Sequence, residues 1–214
     1  MSIKSKRILM SLCGVVICAI SVGVFKIAAL GVDPFQSLMS GLDKLIPISF
    51  GTLYVIVNLL LLTFSLFVDR SKIGLATFIN LFLLGYITEY TYAFLQTLIV
   101  APSMAVRVLC LLVGIVVICF GSALYMTADL GVSTYDAIAI ALAGKWKLAP
   151  FQYCRIDTDI CCVIGGVILF LITGGTVATI PTMAGVGTII TAFFMGPLIE
   201  LFNVHVARPL LKKL

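Results

Sequence analysis

The sequence predicts an all-α, polytopic membrane protein. Its six transmembrane helices form two inverted three-helix repeats, each with a short non-spanning helix after its first span. Three observations predict this class. The chain is 62% hydrophobic and only 11% charged, with a mean hydropathy of +1.23, outside the globular range. Apolar runs of membrane-spanning length fall at about 8–30, 51–68, 73–99, 105–127, 151–172 and 181–206. The first half also returns in the second: Ala28, Leu30, Gly31 and Val32 recur about a hundred positions on as Ala128, Leu130, Gly131 and Val132.

The repeat extends through much of the chain. Without a gap it pairs Arg7 with Arg107, Leu12 with Leu112, Gly14 with Gly114, Val16 with Val116 and Leu42 with Leu142. Further on, Gly74-Leu-Ala-Thr77 returns as Gly185-Val-Gly-Thr188, and Gly85 and Glu89 return as Gly196 and Glu200. Residues 1–214 thus read as one transmembrane domain, with a first repeat over 7–100 and a second over 101–207. Three spans per copy is an odd number, so the second copy enters the membrane from the side opposite the first. A pseudo-two-fold axis in the membrane plane then relates the copies, and transport sites often lie on such an axis.

The first span begins after Lys4, Lys6 and Arg7. It is longer than the apolar region of a secretory signal and shows no small-x-small cleavage site, so it is expected to be retained. With a cytoplasmic N-terminus, Lys4, Lys6, Arg7, Arg70, Lys72, Lys145, Lys147, Arg208, Lys212 and Lys213 all fall inside. The outer side keeps little beyond Lys44 and Arg107. The positive-inside rule favours that orientation, which puts both termini in the cytoplasm. The net charge of +5 then reports topology, with anionic headgroups of the lipid bilayer as a secondary partner. Cations scattered over short loops do not make a nucleic-acid surface.

Gly31 and Gly131 permit the turn that ends the first helix of each copy. Asp33-Pro-Phe-Gln36 then reads as a helix start, with Asp33 as cap, Pro34 at the first position and Gln36 reaching back. Ser133-Thr134-Tyr135-Asp136 has the same logic. Each opens a helix, about 33–46 and 133–146, of roughly 20 Å, too short to span. In the first, Phe35, Leu38, Met39, Leu42, Leu45 and Ile46 oppose Gln36, Ser37, Ser40, Asp43 and Lys44, which suits a helix lying flat at the outer interface. The second is apolar almost all round from Ala137 to Ala143, which suits burial. If both dip inward, their first amides offer partial positive charge near the midplane. The pattern leaves both placements open.

A charge at the centre of a spanning helix costs about 2.5–3.5 kcal/mol on the insertion scale, so acids there mark function or a partner. Glu89 lies outward along the third span and Glu200 inward along the sixth, as repeat mates on opposite sides of the midplane. They are candidates for binding a coupling proton or cation, the alternative being interfacial positions beside Tyr86, Tyr90 or His205. Asp157 and Asp159 are further coupling candidates, clustered with Arg155 early in the fifth span. Two residues apart, the two acids cannot share a helix face, and Asp159 sits deeper. The polar Asn58 is its nearest counterpart in the first copy. Gly196-Pro197 predicts a kink or break in the sixth span.

Other chemistry is excluded or unsupported. The seven cysteines lie mainly in apolar spans without CxxC spacing and read as small packing residues. His205 is the one histidine, which excludes a histidine-rich metal site, and no cofactor is expected. No P-loop, nucleotide fingerprint, GxSxG elbow or nucleophile–base constellation is legible, so the chain is not expected to be an enzyme or an ATP-driven pump. The Gly165-Gly166 and Gly174-Gly175 pairs suit close helix packing and a loop.

The run Ala29-Leu-Gly-Val-Asp-Pro-Phe35, then Ser49-Phe-Gly-Thr52, Ile73-Gly-Leu-Ala-Thr77 and Gly85, resembles the YczE/YyaS/YitT-type bacterial membrane proteins. Asp129-Leu-Gly-Val132, Arg155 with its nearby acids, Gly185-Val-Gly-Thr188 and Gly196-Pro197 extend the resemblance over nearly the whole chain. Ser133-Thr134 stands where the family often carries a Pro, and Asp157 or Asp159 where a Glu is expected. The resemblance implies a bacterial cytoplasmic membrane and supports architecture rather than a named substrate.

The expected function is secondary transport or facilitation of a small solute, an anion being one candidate class. The substrate-binding candidates are Asp33, Gln36, Ser133, Thr134, Asp136 and Asn58, between the copies. A channel-like pore is the nearest alternative, and a non-transporting scaffold or accessory subunit is the alternative of a different class. A bundle of six short-looped helices is also compatible with a homodimer.

Overall fold

The computed structural model describes residues 3–213; residues 1, 2 and 214 of the expected 1–214 domain lie outside the described residues. Every regular element among the described residues is helical, with no strand. The long helices are α1 (Ile3–Ala28), α3 (Phe50–Val68), α4 (Leu75–Leu98), α5 (Met104–Thr127), α7 (Phe151–Ile172) and α8 (Val186–Phe202). Two short helices, α2 (Pro34–Leu45) and α6 (Thr134–Gly144), follow α1 and α5, and α9 (Arg208–Lys213) ends the chain. Each expected apolar run thus carries a helix, and so does each expected short segment.

Among the described residues, five stretches are long and apolar enough to cross a membrane: α1, α3, α4, α5 and Val177–Lys212, which contains α8. α7 has comparable length but carries Arg155, Asp157 and Asp159. Phe67, Phe94, Leu109, Ile172 and Phe193 are exposed on the outside of the bundle. Large apolar side chains facing outward from long apolar helices give the chain the character of a membrane protein.

α1 and α5 form the central pair, with α4 against α1 and α8 against α5. The α1–α5 crossing is tight, and Ser21 Oγ donates to Gly114 O at 2.6 Å. Of the short helices, α2 packs on α7 and α6 packs on both α3 and α7. At the α2–α7 crossing, a Cβ on Gly166 would lie 2.6 Å from Ser37 O, which explains the small residues there.

The caps form as the sequence requires. Asp33 accepts from the Gln36 amide and Ser133 from the Asp136 amide, each satisfying a first-turn N–H. Before each cap the backbone turns left-handed twice, at Ala29 (φ 47°) and Gly31 (φ 102°), and again at Asp129 (φ 52°) and Gly131 (φ 111°). Arg107 donates to the carbonyls of Ala28 and Ala29, satisfying the end of α1. At the end of α5 the corresponding Arg7 lies 3.8 Å from Asp129.

These turns lock onto the far half of the chain. Leu30 O accepts from Gly187 N at 2.7 Å, and Leu130 O accepts from Ala76 N at 2.9 Å. Val32 N donates to Met183 O, and Val132 N to Lys72 O. Thr77 Oγ1 donates to Val132 O while accepting from Gly74 N; Thr188 Oγ1 accepts from Gly185 N and donates to Met183 O. The Gly-x-x-Thr motifs at 74–77 and 185–188 therefore each start a helix and seat the turn of the other half.

One expectation needs correction. α8 runs through Gly196-Pro197 as a continuous helix, so there is no break at that point. A proline removes one helical N–H and crowds the carbonyl four residues before it, which bends a helix without having to end it. Here the irregularity comes later, as a π turn over Asn203–Ala207.

Candidate functional site

The polar first turns of α2 and α6 converge on one cavity of about 530 Å³, lined by all of α1 to α8. Asp33 and Gln36 enter from the start of α2, and Ser133, Tyr135 and Asp136 from the start of α6. Tyr54 and Asn58 come from α3, Asn80 from α4, Ser122 and Tyr125 from α5, Arg155 and Asp159 from α7, and Thr191 from α8.

Phe35 and Tyr135 meet at its wall, stacked with centroids 4.9 Å apart and planes 23° from parallel. Tyr54 closes on Phe35 edge-on at 5.9 Å. The Arg155 guanidinium carbon stands 4.5 Å over the Tyr135 ring, a cation–π contact. Arg155 Nη1 pairs with Asp136 Oδ1, and its Nε lies 3.4 Å from Asp159 Oδ1. Tyr135 donates its hydroxyl to the same Asp159 oxygen. One arginine, one tyrosine and two acids thus form a connected cluster, which satisfies groups that would be costly alone in an apolar bundle.

The other polar groups of α3, α4 and α5 on the wall are neutral. Tyr54 donates to Asn80 Oδ1 at 3.2 Å, and Asn58 donates to Tyr54 O at 2.8 Å. Thr134 donates to Asn58 Oδ1, joining α6 to α3. Gln36 Oε1 and the Tyr125 hydroxyl are buried at the cavity wall without a protein partner. Buried polar atoms are usually satisfied, so these two mark where a polar guest finds hydrogen bonds.

The formal charge of the wall is negative: Asp33, Asp136 and Asp159 stand against Arg155. Two helix N-termini point here, each with a partial positive charge of about half a unit. Both are already met by a side-chain oxygen of the chain itself, Asp33 on α2 and Ser133 on α6.

A family model described as "Family of unknown function (DUF6198)" matches residues 5–204, nearly the whole chain. The chain belongs to the DUF6198 family. It is similar to the uncharacterized protein YyaS of Bacillus subtilis (strain 168), at 24% identity over 200 residues and 94% of each chain. That agrees with the YyaS-type resemblance of the motifs. It is also similar to an uncharacterized protein of Haemophilus influenzae (strain ATCC 51907 / DSM 11121 / KW20 / Rd). There the identity is 28% over 142 residues, 65% of this chain and 57% of that protein. No solved structure gives a significant match.

In this DUF6198 chain the candidates read from sequence separate into two groups. Asp33, Gln36, Asn58, Ser133, Asp136 and Asp159 line the cavity, as do Gly196 and Pro197, and Thr134 stands directly behind Asn58. Gly31 and Gly131 hold the turns that aim the two short helices. Glu89, Asp157 and Glu200 stand elsewhere. Glu89 Oε2 accepts from the Gly51 amide at 2.9 Å and so caps α3. Asp157 is exposed on the outer face of α7. Glu200 is exposed and pairs with Arg208 at 3.0 Å. Metal chemistry finds no cluster of ligands among the described residues.

Sequence reasoning missed Tyr54, Asn80, Tyr125 and Tyr135. A tyrosine or asparagine in an apolar span looks like a packing residue. The repeat offset held the available signal, because it equates Phe35 with Tyr135 and Gln36 with Asp136, pairs whose members both face the cavity.

Proposed function

We propose that this chain is a secondary transporter or facilitator of six spans, built as two inverted three-helix repeats around the central cavity. The observation that carries the reading is the pairing of the wall. Asp33 faces the cavity with Ser133, Phe35 with Tyr135 and Gln36 with Asp136, mates by the repeat offset, and Asn58 with Asp159, which hold the same place in α3 and α7. Reciprocal seating of each turn on the other copy, through Leu30–Gly187 and Leu130–Ala76, supports the same arrangement. A site on the axis between inverted repeats is the usual place for a transported solute. The basic residues orient the bundle with both termini in the cytoplasm of a bacterial cell.

The charge of the wall chooses the solute class. Three acids against one arginine disfavour an anion, and the helix N-termini that would attract one already carry side-chain oxygens of the chain. A small organic cation or a zwitterion fits better. Its ammonium would face Asp33 beside the Phe35 and Tyr54 rings, and its polar groups would meet Gln36 Oε1 and Tyr125 Oη. The test is counterflow in liposomes containing the purified protein, with a panel of small cations, zwitterions and anions. Saturable exchange of a cation or zwitterion is expected. Exchange confined to anions, or no flux from folded protein, contradicts the reading.

A further inference from the structure

The two copies match in sequence but not in packing, and the difference lies at opposite ends of the cavity. In the first copy α3 and α4 are packed together. A Cβ on Gly85 would sit 2.6 Å from Tyr54 Cβ, and one on Gly51 would sit 2.3 Å from Tyr86 Cδ1. Glu89 holds the Gly51 amide at 2.9 Å, and the Thr52 and Tyr86 hydroxyls share a hydrogen bond of 3.2 Å. Lys26 Nζ stands 3.2 Å over the Phe50 ring just beyond. This end is latched.

In the second copy the corresponding helices, α7 and α8, meet marginally at most, although both line the cavity. Gly196, the mate of Gly85, has nothing within 4 Å of where its Cβ would stand. Glu200, the mate of Glu89, turns away to Arg208 Nη2 at 3.0 Å and Asn203 Nδ2 at 3.1 Å. α7 begins after Pro150, whose side chain offers its first amides no acceptor. The glycine contact and the glutamate cap of the latch therefore each have a disengaged mate at this end.

We infer that the two ends are alternating gates which exchange conformations, with Glu89 and Glu200 as their paired latches. In the exchanged state α8 closes on α7, bringing Gly196 against Arg155, which is the fifth residue of α7 as Tyr54 is of α3. Glu200 leaves Arg208 and takes the first amides of α7, while Glu89 releases Gly51 and α4 parts from α3. The inference rests on the inverted-repeat reading of the cavity. Copies of one unit that hold two conformations in one molecule can exchange them where the two states differ by only a few kcal/mol. With the N-terminus cytoplasmic, the present state opens inward and is shut outward.

The glycines supply the test. Leucine at 196 meets open space in this state but blocks closure of α8 on α7. Leucine at 85 strikes Tyr54 and forces the latched end apart. Spin labels are placed at exposed positions 48 and 90 for the first end, and 148 and 201 for the second. The full chain, lacking its native cysteines, is reconstituted in lipid nanodiscs and the pairwise distances are measured. Two reciprocal distance populations are expected in the parent. Gly196→Leu should leave only the long second-end and short first-end distances, and Gly85→Leu should reverse the preference. Glu89→Gln carries the same expectation as Gly85→Leu should that variant fail to fold.

Unchanged single populations in the parent, Gly196→Leu and Glu89→Gln overturn the inference. Because the distances need no solute, the gates and the transport reading fail separately. Fixed distances with sustained flux reject the gates, and exchanging distances without flux reject the chosen solutes.

Discussion

Phe35 stacks on Tyr135, its own mate in the second half of the chain, with ring centroids 4.9 Å apart. Under a two-fold relation, a residue and its mate touch only near the axis. Cys18 repeats the observation one layer away, donating its thiol to the carbonyl of its mate Ile118 at 3.8 Å. All four residues line the cavity, so the proposed inverted-repeat arrangement puts its axis beside the α1–α5 crossing and the site.

The turns at Gly31 and Gly131 are predicted to be intolerant of any side chain. Their φ values of 102° and 111° strain an L-residue, and a Cβ would lie 2.6 Å from Gly185 N and 2.5 Å from Gly74 N, respectively. Gly31→Ala and Gly131→Ala should each cost about 1–3 kcal/mol or more. Gly144→Ala, in open space at the end of α6, should stay within about 1 kcal/mol of wild type. Thermal melts in mild detergent check all three.

Thr134 and Asn58 are both 1% exposed, and the threonine hydroxyl meets the amide oxygen. Thr134→Val keeps the shape and orphans that oxygen, which should cost about 1–3 kcal/mol, while Thr134→Ser should recover most of it. The same melts read the difference.

Arg155 neutralises Asp136 and Asp159, so Arg155→Gln leaves two acids close together. An exposed pair is worth up to about 1 kcal/mol, and breaking a buried one costs about 3–5. With its side chain 28% exposed, Arg155 should fall roughly midway between these limits. Adding Asp136→Asn should restore part of the loss, and a double-mutant cycle on melting temperature measures the coupling. Additive losses would count against the cluster.

The acids in the cavity should matter for flux and those outside it should not. Asp33→Asn and Asp159→Asn are expected to lower cation or zwitterion exchange by about tenfold or more, since each removes a charge facing the solute. Asp157→Asn, on the exposed face of α7, should exchange at the parental rate. Initial rates in liposomes at matched protein content decide this.

Much of the fold was legible because membrane helices are specified by long apolar runs and short helices by caps. The runs at 51–68 and 105–127 differ from α3 and α5 by about a residue at one end. The caps at Asp33 and Ser133 formed as their side-chain chemistry requires. Depth and facing were less legible. α2 has the stripe of an interfacial helix, yet its polar Gln36 and Ser37 are buried along with Phe35 and Met39, because Gly166 of α7 lets that helix close on the Ser37 backbone while Phe35 and Gln36 turn to the cavity. Glu89 and Glu200 read as a coupling pair because sequence does not show what an acid in a span faces, and its cost depends on that. Only the packing shows one on the α3 amides and the other on Arg208.

The central claim is that both halves of the chain face one cavity reached from one side at a time. Single cysteines replacing Gln36 and Ser122, in a background without the native seven, test it most directly. A small membrane-impermeant thiol reagent is applied to right-side-out and to inverted vesicles. The account predicts that both positions label from the same side, the cytoplasmic one while the Gly51–Glu89 end is latched, and that a transported solute protects both. Labelling of position 36 only from outside and of position 122 only from inside, with no protection by any solute, would contradict it.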